Sequence, residues 1–250
     1  MTKQGDKIAV WFSCGAASAV AAKKTLELYP DCDVRILNSP ILEEDEDNRR
    51  FLSDVQDWLD KPIEIIRSSK FPSQSAVEVW DKRRFMSSVS GAPCTVELKK
   101  VPRQIWEADN DVDWHVLGFT AEEEHRAKRF VLTERDNLLP VLVNQKIGKV
   151  ECMEIISAAG IALPRVYKMG YPNANCIGCV KATSPTYWNL VRKTHPEVFR
   201  QRAEQSREIG VKLTRVNNER IFLDELDKDY EGNAIKNGFA ECGLFCEEVK

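Results

Sequence analysis

Cys176 and Cys179, separated by two residues in the loop Y-P-N-A-N-C-I-G-C, carry the sharpest chemical signal in the sequence. Thiolates at that spacing ligate one metal ion or two corners of an iron–sulfur cluster, because a short loop turns both sulfurs inward. Two ligands leave a coordination shell half closed. Cys94, far upstream in G-A-P-C, is one candidate to complete it; Cys242 and Cys246, in E-C-G-L-F-C near the C-terminus, are the others. Zinc and a four-iron–four-sulfur (4Fe-4S) cluster both accept four thiolates, and spacing alone does not separate them. Cys32 and Cys152 read as small buried apolar residues, the commonest state of an unmodified cysteine.

A second signal lies near the N-terminus. Lys7–Trp11 (K-I-A-V-W) reads as a short buried strand, followed by the small-residue loop S-C-G-A-A-S and a helix-forming run from Ser18 to Leu28. A strand that turns into a helix in this way offers unpaired N–H groups and a partial positive charge to an anion. Gly15 gives the loop conformational freedom, Cys14 and Ala16 have side chains small enough for a phosphate to approach the backbone, and Ser13 and Ser18 add hydroxyl donors.

These two sites sit in a chain of ordinary balance. It has 250 residues, 43% hydrophobic and 30% charged, with a formal charge of −3. That balance excludes a disordered polyelectrolyte and a whole-surface polyanion binder, while leaving room for a local basic groove. The length buries a core without disulfide staples. No apolar run approaches a membrane span, and Met1 to Lys7 holds no apolar signal segment, so the reading is a cytoplasmic protein with no membrane partner, whose eight cysteines are thiols or ligands.

The elements that must position the chemistry alternate. Strands are expected at Lys7–Trp11, Val34–Asn38, Ile63–Ile66 and His115–Gly118, with an extended segment or short strand at Leu139–Val143. Helices are expected near Asn48–Leu59, Ala76–Phe85, Val101–Ala108, Glu151–Ala159 and Pro196–Ile209. This alternation predicts an α/β fold, a Rossmann-like parallel sheet with helices on both faces. A boundary is expected near residue 165, between a nucleotide-binding domain (1–165) and a C-terminal cysteine-bearing region (166–250). Lys181 to Arg207 carries a mild basic excess that could contact RNA or DNA.

The loop Ser13–Ser18 resembles the PP-loop, S-G-G-x-D-S, of the adenine nucleotide alpha-hydrolase superfamily, which includes PP-loop ATP pyrophosphatases and phosphoadenylyl-sulfate (PAPS) reductases. Ser13, Gly15 and Ser18 match; Cys14 stands in the place of the first Gly and Ala17 in the place of Asp. The missing carboxylate removes a magnesium ligand and turns the resemblance toward the PAPS reductase-like branch, in its phage and bacterial form. Gly118 to Arg126 (G-F-T-A-E-E-E-H-R) resembles that branch's G-x-x-x-x-E-x-x-R segment, and Lys99 and Lys100 follow Cys94 as basic residues do there. Glu241-Cys242-Gly243-Leu244 resembles the C-terminal E-C-G-L-H of sulfonucleotide reductases, with Phe245 in the place of His.

The resemblance implies an adenine nucleotide (PAPS, APS or ATP) held at Ser13, Cys14, Gly15, Ala16 and Ser18, with Lys99 and Arg126 as anion contacts. It implies Cys242 as the nucleophile toward sulfur and a thioredoxin-type dithiol as reductant. Cys94, Cys176 and Cys179, with Cys246 as fourth, are similar to the cluster ligands of adenylyl-sulfate reductases, although Pro93 replaces one of a tandem pair. Two other functions share these residues: ATP-dependent, cluster-assisted sulfur transfer to a nucleobase in RNA or DNA, and a non-catalytic nucleotide-binding module with structural zinc.

Overall fold

The computed structural model describes residues 2–88 and 91–233. Cys242 and Cys246 therefore lie outside the described residues. The chain forms two compact units. The first comprises Met1–Pro40, Glu46–Ile66 and Arg103–Arg165; the second comprises Ile41–Asp45, Arg67–Pro102 and the described residues from Val166 onward. Residues 41–45 and 67–102, which a single boundary at 165 groups with the N-terminal region, pack with the second unit.

The first unit is α/β. Four parallel strands, β1 (Lys7–Trp11), β2 (Asp33–Asn38), β3 (Ile63–Ile65) and β4 (Trp114–Val116), pair in the order β3-β2-β1-β4. Chain order reverses at β1, and the crevice beyond the carboxyl ends of strands at such a reversal is where open α/β sheets take ligands. Helix α1 (Ala16–Leu28) follows β1 directly. Its small residues, from Ala16 through Ala22, are buried almost all round, and it packs against β1 and the helix Lys149–Ala158. Helix α2 (Asp47–Leu59) is amphipathic, burying Phe51, Val55 and Leu59 at helical spacing. The expected extended segment at Leu139–Val143 is instead a helical turn, Val141–Asn144, begun by Pro140; only Leu138 bridges to the sheet, through His115.

The sheet face bearing Trp11 holds a charged cluster. His115 on β4 is 1% exposed. Its Nδ1 accepts a hydrogen bond from Trp11 Nε1 at 3.0 Å, and its Nε2 lies 2.8 Å from the Arg135 guanidinium. Arg135 in turn donates to Glu107 at 2.7 Å, and Arg103 lies 3.7 Å from the same carboxylate. His115 is thus a core residue, in a part of the core that is polar.

The second unit is mainly helical. Its apolar core gathers Trp80, Met86, Leu98, Tyr187, Trp188 and Leu213, among others, and Cys94, Cys176 and Cys179 pack against it. The short acidic segment Glu43–Asp45 ties this unit together. The Glu43 carboxylate accepts from Ser75 Oγ at 2.6 Å and from the amides of Ala76 and Val77, at the N-terminus of helix α3 (Ala76–Arg83). A carboxylate there satisfies amides that the helix itself leaves unpaired.

Burial, with Arg135 and Arg103 nearby, pushes His115 down to about 3 from its ordinary 6.5. Below about pH 6.5 the unfolded chain takes up a proton that folded His115 refuses, so its contribution to stability falls as pH drops, approaching about 1.4 kcal/mol per pH unit. His115→Gln, which still accepts from Trp11, is expected to flatten the denaturation-midpoint profile between about pH 7 and 5, a window above most carboxylate titrations.

Candidate functional site

Two sites emerge, one in each unit. In the first, β1 ends at Trp11 and the chain must turn onto α1 within four residues. It does so with Cys14 in the left-handed region, φ 57°. Gly15 then serves as N-cap with extended backbone, so the position that needs glycine's freedom is occupied by Cys14 and not by Gly15. An L-residue held there costs about 1–2 kcal/mol, and such residues persist where their surroundings over-determine them.

The surroundings are explicit. Asn38, the last residue of β2, donates from Nδ2 to the Phe12 carbonyl at 2.8 Å and contacts Cys14 Sγ at 3.5 Å. Ser18 closes the loop from the other side: its hydroxyl accepts from the Ser13 amide at 3.1 Å and donates to the Gly15 carbonyl at 2.9 Å. Behind the turn, Gly118 lies so close that a Cβ built on it falls 2.8 Å from the Ser18 backbone nitrogen. Only glycine lets the end of β4 approach α1 in this way. Ser13, Cys14, Gly15, Ala16 and Ser18 are thus gathered at the first turn of a thirteen-residue helix, with its amide groups facing the loop.

Two further polar atoms mark the same edge. Asn38 Oδ1 and Ser39 Oγ are buried without a hydrogen-bond partner. Unsatisfied acceptors and donors inside a protein are costly, and a ligand is one partner that could satisfy them. Neither residue was singled out from the sequence; the available signal was a polar pair, Asn38-Ser39, closing the apolar run V-R-I-L.

Arg126 and Glu122–Glu123 lie in the same unit and are engaged structurally. Glu123 closes a capping box with Thr120, and Arg126 pairs with Glu123 while its guanidinium sits 5.2 Å from the Phe119 ring centroid. Burial works to raise the Glu122 carboxyl, but hydrogen bonds from its own amide, Thr120 and the Lys149 amide hold it below its ordinary value. Lys99 belongs to the second unit. It is buried in a π-helical turn, Val96–Lys100, 3.6 Å from Glu44 Oε1.

The second site is the Cys176–Cys179 loop, whose backbone is held by several hydrogen bonds. The Ile177 amide donates to the Glu43 carbonyl at 2.9 Å. Tyr187 Oη accepts from the Cys179 amide at 2.9 Å and donates to the Cys176 carbonyl at 3.3 Å. Arg202 Nε donates to the Gly178 carbonyl at 3.3 Å. Gly178 has φ +68°, and a Cβ there would fall 2.9 Å from Val198 Cγ1. Burial, and next the Cys179 sulfur, push the Tyr187 phenol well above its ordinary value, which keeps its proton in place for the Cys176 carbonyl. Burial lowers the Arg202 guanidinium, with Glu43 opposing, and the guanidinium stacks 4.5 Å from the Trp80 ring centroid. In the sequence Arg202 stands out only as one of the basic residues of the run Lys181–Arg207.

Cys176 and Cys179 line a small cleft with Tyr171, Asn173, Asn175 and Lys181. Tyr171 Oη lies 2.7 Å from Thr194 Oγ1 and 3.1 Å from His195 Nδ1, and His195 Nε2 lies 4.0 Å from buried Asp45. Cys94 is in the same unit but is not among the residues lining this cleft. Among the described residues, no group of three or more His, Cys, Asp or Glu side chains is arranged to hold a metal ion. Chemically, a pair of thiols on a rigid loop can bind one edge of a thiophilic metal or undergo thiol–disulfide exchange.

No protein-family model matches the chain, and no curated protein matches it.

The left-handed turn yields a discriminating substitution. Cys14→Gly removes the backbone strain at the cost of a small buried side chain, so stability is expected to stay within about 1 kcal/mol of wild type. Cys14→Val, β-branched in the same conformation, is expected to fall below the glycine variant by more than about 2 kcal/mol in chemical denaturation.

Proposed function

We propose that this chain is a sulfonucleotide-processing enzyme of the PAPS reductase-like kind, binding the anionic tail of an adenine nucleotide at the β1–α1 turn. The observation that carries the reading is the coincidence of the strained Cys14 turn at the head of α1 with the unbonded Oδ1 of Asn38 beside it. The amides of the first turn offer donors to phosphate, and Asn38 offers an acceptor to a ligand N–H or O–H. Ala17, in the place where an ATP-cleaving PP-loop has Asp, supports a phosphosulfate anhydride over a magnesium-bound triphosphate as substrate.

In the proposed reaction the Cys242 thiolate attacks the sulfate sulfur. The bond between sulfur and the bridging oxygen breaks, the nucleotide leaves as its phosphate, and the enzyme keeps an S-sulfonate on Cys242. A dithiol reductant of the thioredoxin class then attacks Cys242 Sγ. Sulfite departs with the electron pair of the sulfur–sulfur bond, the resulting mixed disulfide is resolved by the reductant's second thiol, and Cys242 returns as a thiol. The Cys176–Cys179 pair would supply two thiolates to a zinc ion or an iron–sulfur cluster, and Cys246, the fourth candidate ligand, lies outside the described residues.

Sulfite release from adenylyl sulfate and from its 3′-phosphorylated form, with a dithiol supplied, tests the reading. The wild type is expected to release sulfite, and Cys242→Ser to lose it entirely while still binding nucleotide. Asn38→Leu is expected to weaken nucleotide binding by about tenfold or more, on the scale of one lost buried hydrogen bond. Sulfite release that survives Cys242→Ser, or that never occurs in the wild type with either substrate, contradicts the proposal.

A further inference from the structure

In the run Lys181–Arg207, read from the sequence as mildly basic, two arginines are ion-paired and a third is buried. Arg200 pairs with Glu197 and Glu204, Arg207 with Asp224 and Glu225, and Arg202 is buried. A different arrangement of basic residues lies further on, in the hairpin 214–221.

Strands β5 (Thr214–Val216) and β6 (Glu219–Ile221) pair antiparallel across a two-residue turn, Asn217-Asn218, both residues left-handed as such a turn requires. The register sets Thr214 opposite Ile221 and Arg215 opposite Arg220. Thr214 is buried, and Val216 and Ile221 pack on the core of the second unit, so Arg215 and Arg220 share the opposite face. Like charges directly across a strand pair destabilise it. Arg220 is held in place by donating to the Lys212 carbonyl at 3.2 Å, and among the described residues neither guanidinium forms an ion pair. The hairpin is also fastened beside the thiol cleft: the Thr183 carbonyl, four residues after Cys179, accepts from the Arg215 amide at 3.0 Å and from Thr214 Oγ1 at 3.2 Å.

A two-stranded ribbon keeps a repulsive arginine pair at little cost if an anion bridges it, and the guanidinium fork suits phosphate oxygens. The adjacent cleft carries the polar side chains of Asn173, Asn175 and Lys181 at its lining. We propose that the β5–β6 hairpin is a nucleic-acid-binding surface, Arg215 and Arg220 gripping the phosphodiester backbone of a single strand. This inference does not rest on the nucleotide reading.

Fluorescence anisotropy of the full chain with a labelled oligouridylate of about twenty nucleotides tests it, at salt between about 50 and 200 mM. A uridylate strand carries no adenine, so the result is independent of the β1–α1 site. The wild type is expected to bind, more weakly as salt rises. The double variant Arg215→Gln/Arg220→Gln is expected to bind about tenfold or more weakly, with a slope of log affinity against log salt shallower by about 1.4, two contacts' worth. Arg215→Gln alone is expected to give about half that slope change, and Arg200→Gln, at an ion-paired position, none. The melting temperature of the double variant is expected not to fall, since a repulsion is removed. Absence of binding to RNA and to the equivalent DNA, an unchanged slope in both arginine variants, or equal competition by polyglutamate of the same charge would overturn the proposal, the last result pointing to an acidic protein.

Discussion

The candidate nucleotide site depends on one constraint: the chain leaving β1 has to reverse onto α1 through a left-handed residue that is not glycine. Asn38 holds that turn from the neighbouring strand, through the Phe12 carbonyl and the Cys14 sulfur. Ser18 holds it from the helix, and Gly118 leaves room behind it. Each contact comes from a different strand end or from α1 itself, so the turn exists only once the parallel sheet has formed. The cost of the strain and of the unbonded Asn38 oxygen is concentrated where a ligand could recover it.

In the second unit the comparable constraint is the fixing of the Cys176–Cys179 backbone. Glu43 contributes twice, its carboxylate to the head of helix α3 and its carbonyl to the Ile177 amide. Tyr187 spans the loop from the Cys176 carbonyl to the Cys179 amide, and Arg202 reaches the Gly178 carbonyl from below. The acidic segment 43–45, which invites a reading as a cation site, is spent on structure: Glu43 caps a helix, Glu44 faces Lys99 and Asp45 faces His195.

Much of the first unit was legible because its signals are local. β1 is a nearly continuous apolar run and β2 is apolar at Val34, Ile36 and Leu37, α1 is built of small residues, and α2 repeats its apolar positions at helical spacing. Leu139–Val143 misled because an apolar run interrupted by proline suits an extended segment and a proline-initiated helical turn equally well. The grouping of 41–45 and 67–102 with the C-terminal half rests on contacts distant in sequence, which no window reports. The hairpin did carry a signal, an Asn-Asn pair between T-R-V and E-R-I, but strands of three residues are too short for alternation to stand out. For the sites, residue types pointed to the Ser13–Ser18 loop and the cysteine pair; the residues that hold them, Asn38, Tyr187 and Arg202, are recognisable only once the fold brings them beside their targets.

Backbone amide chemical shifts of isotope-labelled protein, followed during titration with adenylyl sulfate, test the central claim most directly. The account predicts that the largest perturbations fall on the amides of residues 13–17 and on the Asn38 side-chain amide, and that they saturate with added nucleotide. Saturable binding whose shifts leave those amides unmoved, or no binding at millimolar nucleotide, would contradict it.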